Sequence, residues 1–239
     1  MTRWMIAALL SASGLLAGCA GIEATRAVGM ANLPIAGIEE VRAEGAAVDA
    51  SPAEVRGWKV VDVVVNVPED LKVSEANVFF PIADIVWHGD PAGESPAIRK
   101  VQVARILDDA LTEAFTVVDG TRPVVIELTL RRFHALTPKT RYTVGGTHDI
   151  RFDIVARDAE SGETLWGPRF AHLEFPAYGG DKALEAERMG LTQKVRITRH
   201  LIAWAWKAFL GVENPDPETL PVGPLAAHLS PEGATGVAG

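Results

Sequence analysis

The sequence predicts an α+β domain: a mainly antiparallel sheet of about four to five strands, two helices packed on one of its faces, and flexible tails on either side. Three features predict it. They are a nearly continuous β-branched run at 58–67, helical periodicity at 96–115 and 181–210, and segments of period-two alternation between the helices.

The run Trp58 to Val67 (WKVVDVVVNV) sets Val61, Val63, Val65 and Val67 on one face and Val60 and Val64 on the other, which predicts an interior strand ended by Pro68. Asn77 to His88, interrupted by Pro81, reads as edge or loop structure. Ser95-Pro96 offers an N-cap followed by proline at the first helical position. From Pro96 to Phe115 the apolar positions Val103, Leu107, Ala110 or Leu111, and Ala114 recur on one side, with Arg99, Lys100, Asp108, Asp109 and Glu113 on the other. Asp119-Gly120-Thr121 marks a turn.

In Val125 to Phe133, Ile126, Leu128 and Leu130 alternate with Glu127, Thr129 and Arg131. In His148 to Asp158, Ile150, Phe152, Ile154 and Ala156 alternate with charged neighbours. One face is buried and the other wet. The turn at 158–163 leads into Thr164 to Pro176, where Ala171, Leu173 and Phe175 align, completing a meander. Asp181 to Leu210 is predicted as one long helix, opened by Gly179-Gly180 with Asp181 as N-cap and closed by Gly211.

Composition narrows the function classes. The chain has 239 residues, 23 Lys and Arg against 31 Asp and Glu, and a formal charge of -8. It contains no basic run, so it lacks the field that a phosphate backbone requires, and no nucleic-acid partner is expected. One cysteine can form neither an internal disulfide nor a zinc cluster.

That cysteine has a distinctive setting. Arg3 precedes the thirteen-residue apolar stretch Trp4 to Leu16, too short to span a hydrocarbon core of about 30 Å. The stretch runs into Leu16-Ala17-Gly18-Cys19, which closely resembles the lipobox of bacterial lipoproteins. The resemblance implies removal of residues 1–18 as a signal peptide, diacylglycerol on the Cys19 thiol and acylation of the new amine. The membrane partner is then reached through acyl chains on Cys19, each buried methylene contributing roughly 0.8 kcal/mol. By resemblance to sorted lipoproteins of two-membrane bacteria, Ala20 in place of Asp implies passage to the outer membrane, with the domain facing the periplasm. The outer leaflet of the inner membrane is the alternative.

Residues 19–57 carry the lipidated Cys and a tether without aromatic residues, with a flexible reach of roughly 30 to 40 Å. Residues 58–210 form the single domain. Residues 211–239, with five prolines, five glycines, four acids and no Lys or Arg, are expected to be a disordered acidic tail.

The combination of a lipobox, a β-branched first strand, the helix VQVARILDDALTEAF, the strand VVIELTLRRF and then FDIVARDAESGETLWG is similar to uncharacterised families of small periplasm-facing lipoproteins, including auxiliaries of envelope assembly and transport. Asp158, Gly162 and Trp166 carry that resemblance. They read more simply as two turn residues and an aromatic packing where the next strand starts.

No nucleophile elbow, phosphate loop or dinucleotide fingerprint occurs, and no cofactor is expected. The sharpest chemical candidate is a metal site in which His88 and Asp90 converge with His148 and Asp149, which would make the chain a small periplasmic metal-dependent hydrolase. Separate hydrogen-bonded histidines are the plainer reading. Asp108 and Asp109 diverge by about 100° on a helix and read as solvated surface. Trp204 and Trp206 stand roughly 200° apart, so a helix lying flat on a sheet readily buries one; the other is covered by the domain and its loop 77–92, forms an exposed contact for an envelope protein, or dips into the headgroup zone.

The leading expectation is thus a non-catalytic, membrane-anchored accessory module of the cell envelope. A carrier of an apolar ligand is a further alternative. Cys19→Ser is expected to abolish fatty-acid incorporation and detergent partitioning of the mature product, read by intact mass and acyl labelling.

Overall fold

A computed structural model describes residues 47–89, 95 and 98–220. Cys19, its lipobox residues and the segment 221–239 lie outside the described residues.

The described chain forms an α+β fold. Helix α1 (Pro52–Arg56) precedes strand β1 (Trp58–Asn66), followed by a short β2 (Ile85–Val86) and helix α2 (Arg99–Ala114). Then come β3 (Arg122–His134), a short α3 (Pro138–Arg141), the β4 (Gly146–Asp158) and β5 (Thr164–Ala177) hairpin, α4 (Gly180–Arg188) and α5 (Gln193–Leu210). The sheet order is β1-β3-β4-β5, with β2 also on β3. The β3, β4 and β5 ladders are antiparallel, whereas β1 and β2 pair with β3 in parallel.

The first strand departs from expectation. Rather than lying in the interior, β1 is an edge strand, and a register irregularity between Val60 and Asp62 breaks the alternation there. Val63 is therefore buried while Val61 is 52% exposed. A second irregularity between Leu130 and Arg132 keeps Leu130 and Phe133 both on the buried face.

Helices α2 and α5 pack on each other, with α2 also against β1 and α5 against β5, and the core fills the space between them and the sheet. Val103, Leu107, Ala110, Leu111 and Ala114 of α2 are fully buried, as their spacing predicts. Arg99, expected on the outer side, is buried and held by Glu75 at 2.9 and 3.2 Å and by Gln102 at 2.9 Å. Phe209 is an aromatic hub, with ring centroids 4.0 Å from Trp166, 5.0 Å from Phe115, 6.2 Å from Trp204 and 6.3 Å from Trp58.

The long helix predicted at 181–210 is two helices. Gly190 takes φ 77°, which L side chains rarely adopt, and Thr192 recaps the chain by accepting from the Val195 N–H at 3.4 Å. Gly179, not Asp181, is the N-cap of α4, and Asp181 lies in its first turn.

Residues expected in the tether join the fold. Ser51 and Glu54 form a capping box that starts α1, Val55 is fully buried, and Val48 bridges Gly167 in antiparallel fashion. Past the expected domain end, a 3-10 turn at Pro217–Thr219 packs on α5, where Arg196 Nη2 donates to Glu218 Oε1 at 2.8 Å.

Phe209→Ala is expected to destabilise the fold by about 3–5 kcal/mol through the cavity it leaves. The check is a lowered urea midpoint with an unchanged m-value.

Candidate functional site

The described residues of the candidate metal site, His88, His148 and Asp149, are not brought together as a metal-holding group. His148 and Asp149 are adjacent on β4, so their side chains leave opposite faces of the sheet. His148 is 1% exposed, on the helix side, with its ring centroid 5.0 Å from that of Phe175. His200 of α5 stacks on the same phenyl ring, with centroids 3.6 Å apart and planes 12° apart. Burial, reinforced by the charge of Arg196, pushes His148 down to about 3 and His200 down to about 4, Glu218 and Asp216 partly opposing the shift of His200.

Asp149 lies on the uncovered face and is already saturated. Arg151 donates to its two oxygens at 2.8 and 2.9 Å, Arg132 approaches to 2.9 Å and His172 to 3.1 Å. Partial burial raises this carboxyl, but the Arg151 hydrogen bonds and the surrounding cations outweigh that and hold it below its ordinary value. Its cross-strand neighbour on β3 is His134 rather than His88. His88 is half-buried, and Asp90 lies outside the described residues. Among the described residues, no group of three or more His, Cys, Asp and Glu is placed to hold a metal ion.

The tryptophan pair is largely committed within the fold. Trp206 Nε1 donates to the Ala114 carbonyl at 2.9 Å, tying α5 to the end of α2. Trp204 packs edge-on against Phe152 at 5.1 Å. It keeps one side on a shallow groove of about 360 Å³, lined by residues including His172, Phe175, His200 and Lys207.

A larger feature lies at the outer edge of β1, with which no other described strand pairs. A trough of about 760 Å³ runs between Lys59–Val63 and the outer side of α2, continuing past Phe115 to Asp119. Asp62, Asp108, Asp109, Glu113 and Asp119 line it, with Lys59 as its single cation and Val61 exposed on the strand side. The edge-strand placement of β1 and its packing on α2 create this acidic wall. Asp108 is half-buried rather than fully solvated. Its burial raises its carboxyl, the Thr112 hydroxyl at 3.2 Å partly offsets that, and the charges of Asp109 and Asp62 raise it further.

Sequence reasoning separates Asp62 from Asp108 because nothing local joins them. The usable signal is the long β-branched run with an acid at its centre, since an edge strand with an unblocked backbone offers its outer N–H and C=O groups for pairing.

The model of the "Family of unknown function (DUF6778)" matches residues 58–220, about two thirds of the chain. The chain belongs to that family. Its matched region runs from the first residue of β1 through the C-terminal 3-10 turn. Among solved structures, the chain is similar to one described as "a putative lipoprotein from Caulobacter crescentus CB15". That likeness has 12% identity, a TM-score of 0.26, and coverage of 64% of this chain and 93% of the other, an alignment too loose to transfer fold or function. No curated protein matches the chain significantly.

The buried histidines predict an acid response. With folded values below the ordinary 6.5, His148 and His200 stay neutral while the unfolded chain takes up protons, so stability falls as pH drops below 6.5. The ceiling for His148 is about 1.4 kcal/mol per pH unit. The carboxylates Asp149 and Glu218, held below their ordinary 3.8 and 4.5, lose their contribution only at lower pH. Between pH 6.5 and 4.5 the decline is therefore expected to be shallower in His200→Phe, which keeps the stack on Phe175, as read from urea midpoints across that window.

Proposed function

We propose that the chain is a lipid-anchored accessory module of the bacterial cell envelope, held by acyl chains on Cys19 at the periplasmic side of the outer membrane. It acts by binding rather than by catalysis. The lipobox residues Leu16 to Cys19 support the anchor. The observation that carries the binding role is the open β1 edge beside its acidic trough.

Such an edge suits β-augmentation, in which a partner's extended segment adds as a further strand. Main-chain hydrogen bonds supply affinity, and the wall of the groove selects side chains. Here the wall is α2, and five carboxylates against one lysine favour a segment rich in Lys or Arg. The occupant proposed is therefore a cationic extended segment of another envelope protein. The contact lies on β1 and α2 rather than on Trp204 and Trp206, because Trp206 already serves the α2–α5 junction.

A photoreactive residue at Val61, on the exposed strand side of the trough, is expected to give one defined adduct in cells. Its yield should fall at least about tenfold when Asp108, Asp109 and Glu113 are changed to Asn, Asn and Gln, and fall again at raised salt. The same adduct at equal yield from a photoreactive residue at Phe170, exposed on β5 at the opposite side of the sheet, would overturn the edge as the contact. Turnover or a stoichiometric cofactor in the purified mature protein would overturn the non-catalytic role.

A further inference from the structure

Apolar side chains stand exposed at one end of the sheet, opposite the end where the acidic trough lies. Phe80 is 90% exposed, Ile82 101% and Val144 74%. The loops that carry them are neighbours. Thr137 Oγ1 donates to the Val78 carbonyl at 2.9 Å, the Lys139 N–H donates to Asn77 Oδ1 at 2.7 Å, and Lys139 Nζ lies 4.5 Å from the Phe79 ring centroid. An Arg141–Glu187 pair at 2.6 Å brings the end of α4, with exposed Met189 beyond it, to the same side.

The charge pattern of this end is one-sided. Residues 76–83 (ANVFFPIA) carry no charge, and in residues 135–147 (ALTPKTRYTVGGT) Lys139 is the cation left to solvent, because Arg141 is buried and paired with Glu187. The acids flanking the first loop are engaged below the tip: Glu75 pairs with Arg99, and Asp84 accepts from the Lys72 N–H at 2.8 Å. A protruding apolar tip with Lys139 at its base matches the boundary between anionic headgroups and acyl chains.

Chain length points the same way. Taken as the tether that the sequence predicts, residues 20–46 between Cys19 and the first described residue have a typical reach of roughly 26 to 31 Å. A domain held at that distance meets the bilayer at high effective concentration, so a weak apolar contact suffices to orient it. The chain enters the fold where Val48 bridges Gly167, toward the far end of β5. Fully extended, the same segment spans up to about 90 Å, longer than the roughly 48 Å of β5, so the anchor permits the tip to reach lipid.

We propose that the Phe80–Ile82 tip, with Val144 and Lys139 beside it, enters the interfacial layer of an anionic bilayer and turns the β1 trough away from the lipid. This rests on the reading of Cys19 as the anchor. The test uses mature acylated protein in vesicles of phosphatidylethanolamine and phosphatidylglycerol. Ile82→Cys carries an environment-sensitive fluorophore, and Ser161→Cys in the β4–β5 turn is the control. Acylation of the only native thiol leaves each new cysteine as the single labelling position.

The label at 82 is expected to shift to the blue and to be quenched by lipids spin-labelled near the headgroup, while the label at 161 is unaffected. Phe80→Asp should cut the quenching at 82 at least about fivefold. Equal behaviour at both positions, quenching indifferent to Phe80→Asp, or burial of the label at 82 by a protein without lipid quenching would each overturn the proposal. If intact mass shows Cys19 unmodified, the anchor reading fails by itself. The label at 82 is then followed on the Cys19→Ser chain titrated with the same vesicles, where a blue shift sustains the lipid contact and its absence overturns it.

Discussion

The sheet has one apolar face, and everything else in the molecule is arranged around covering it. Helices α2 and α5 lie on that face and meet at Trp206 and Phe209, where the indole N–H reaches the last turn of α2 and the phenyl ring is packed between Trp58, Phe115 and Trp166. No described helix crosses the opposite face. It is dressed instead with cross-strand pairs such as Arg131–Asp153 at 2.6 Å and Arg157–Glu127 at 3.1 Å. Exposed pairs of this kind contribute about 0–1 kcal/mol each. Their larger effect is to keep that face mainly polar, with Phe170 as an exposed exception, so that it offers no broad apolar surface on which a second sheet could stack.

The same two-residue period that separates core from solvent also decides the chemistry. His148 is drawn in with Ile150, Phe152 and Ile154, and its other-parity neighbour Asp149 goes out to Arg132, Arg151 and His172. Once the strand is recognised, adjacency in sequence argues against a shared site rather than for one. The buried apolar positions of α2, of β4 as far as Ile154 and of the second half of β5 were legible beforehand, because burial there follows an unbroken period, whereas His148 and Asp149 were read as one candidate pair. Legibility ended wherever one residue interrupts the period. The extra residue at Val61 turns an apparently interior strand into one with an exposed valine, and Gly190 divides a helix whose apolar spacing continues on both sides. The capping box Ser51-Pro52-Ala53-Glu54 was visible in the sequence, yet the surrounding Ala- and Gly-rich composition masked it.

The acidic trough was not legible, and the reason is physical. Asp62 and the α2 acids are far apart in sequence, and each is ordinary surface by local pattern. They meet because the connection from β1 through α2 returns in parallel to β3, setting the helix beside a strand left at the edge. A β-branched run carries no label saying whether both of its edges are paired; only the strand order supplies it.

Strand order also bears on which partner the edge can accept. An open edge of β-branched residues is a hazard, since a second copy can pair with it and continue the sheet. Edge-to-edge pairing of two copies through β1 would bring five carboxylates of one trough toward five of the other, with only Lys59 on each side to relieve them. The rise in the Asp108 carboxyl from its neighbours reflects the same repulsion within a single copy. Like charges therefore oppose self-association at this edge, and that repulsion is relieved by a strand of opposite sign. An acid wall beside an otherwise unprotected strand thus separates two outcomes that main-chain hydrogen bonding alone cannot distinguish, favouring a cationic foreign segment over another copy of the chain.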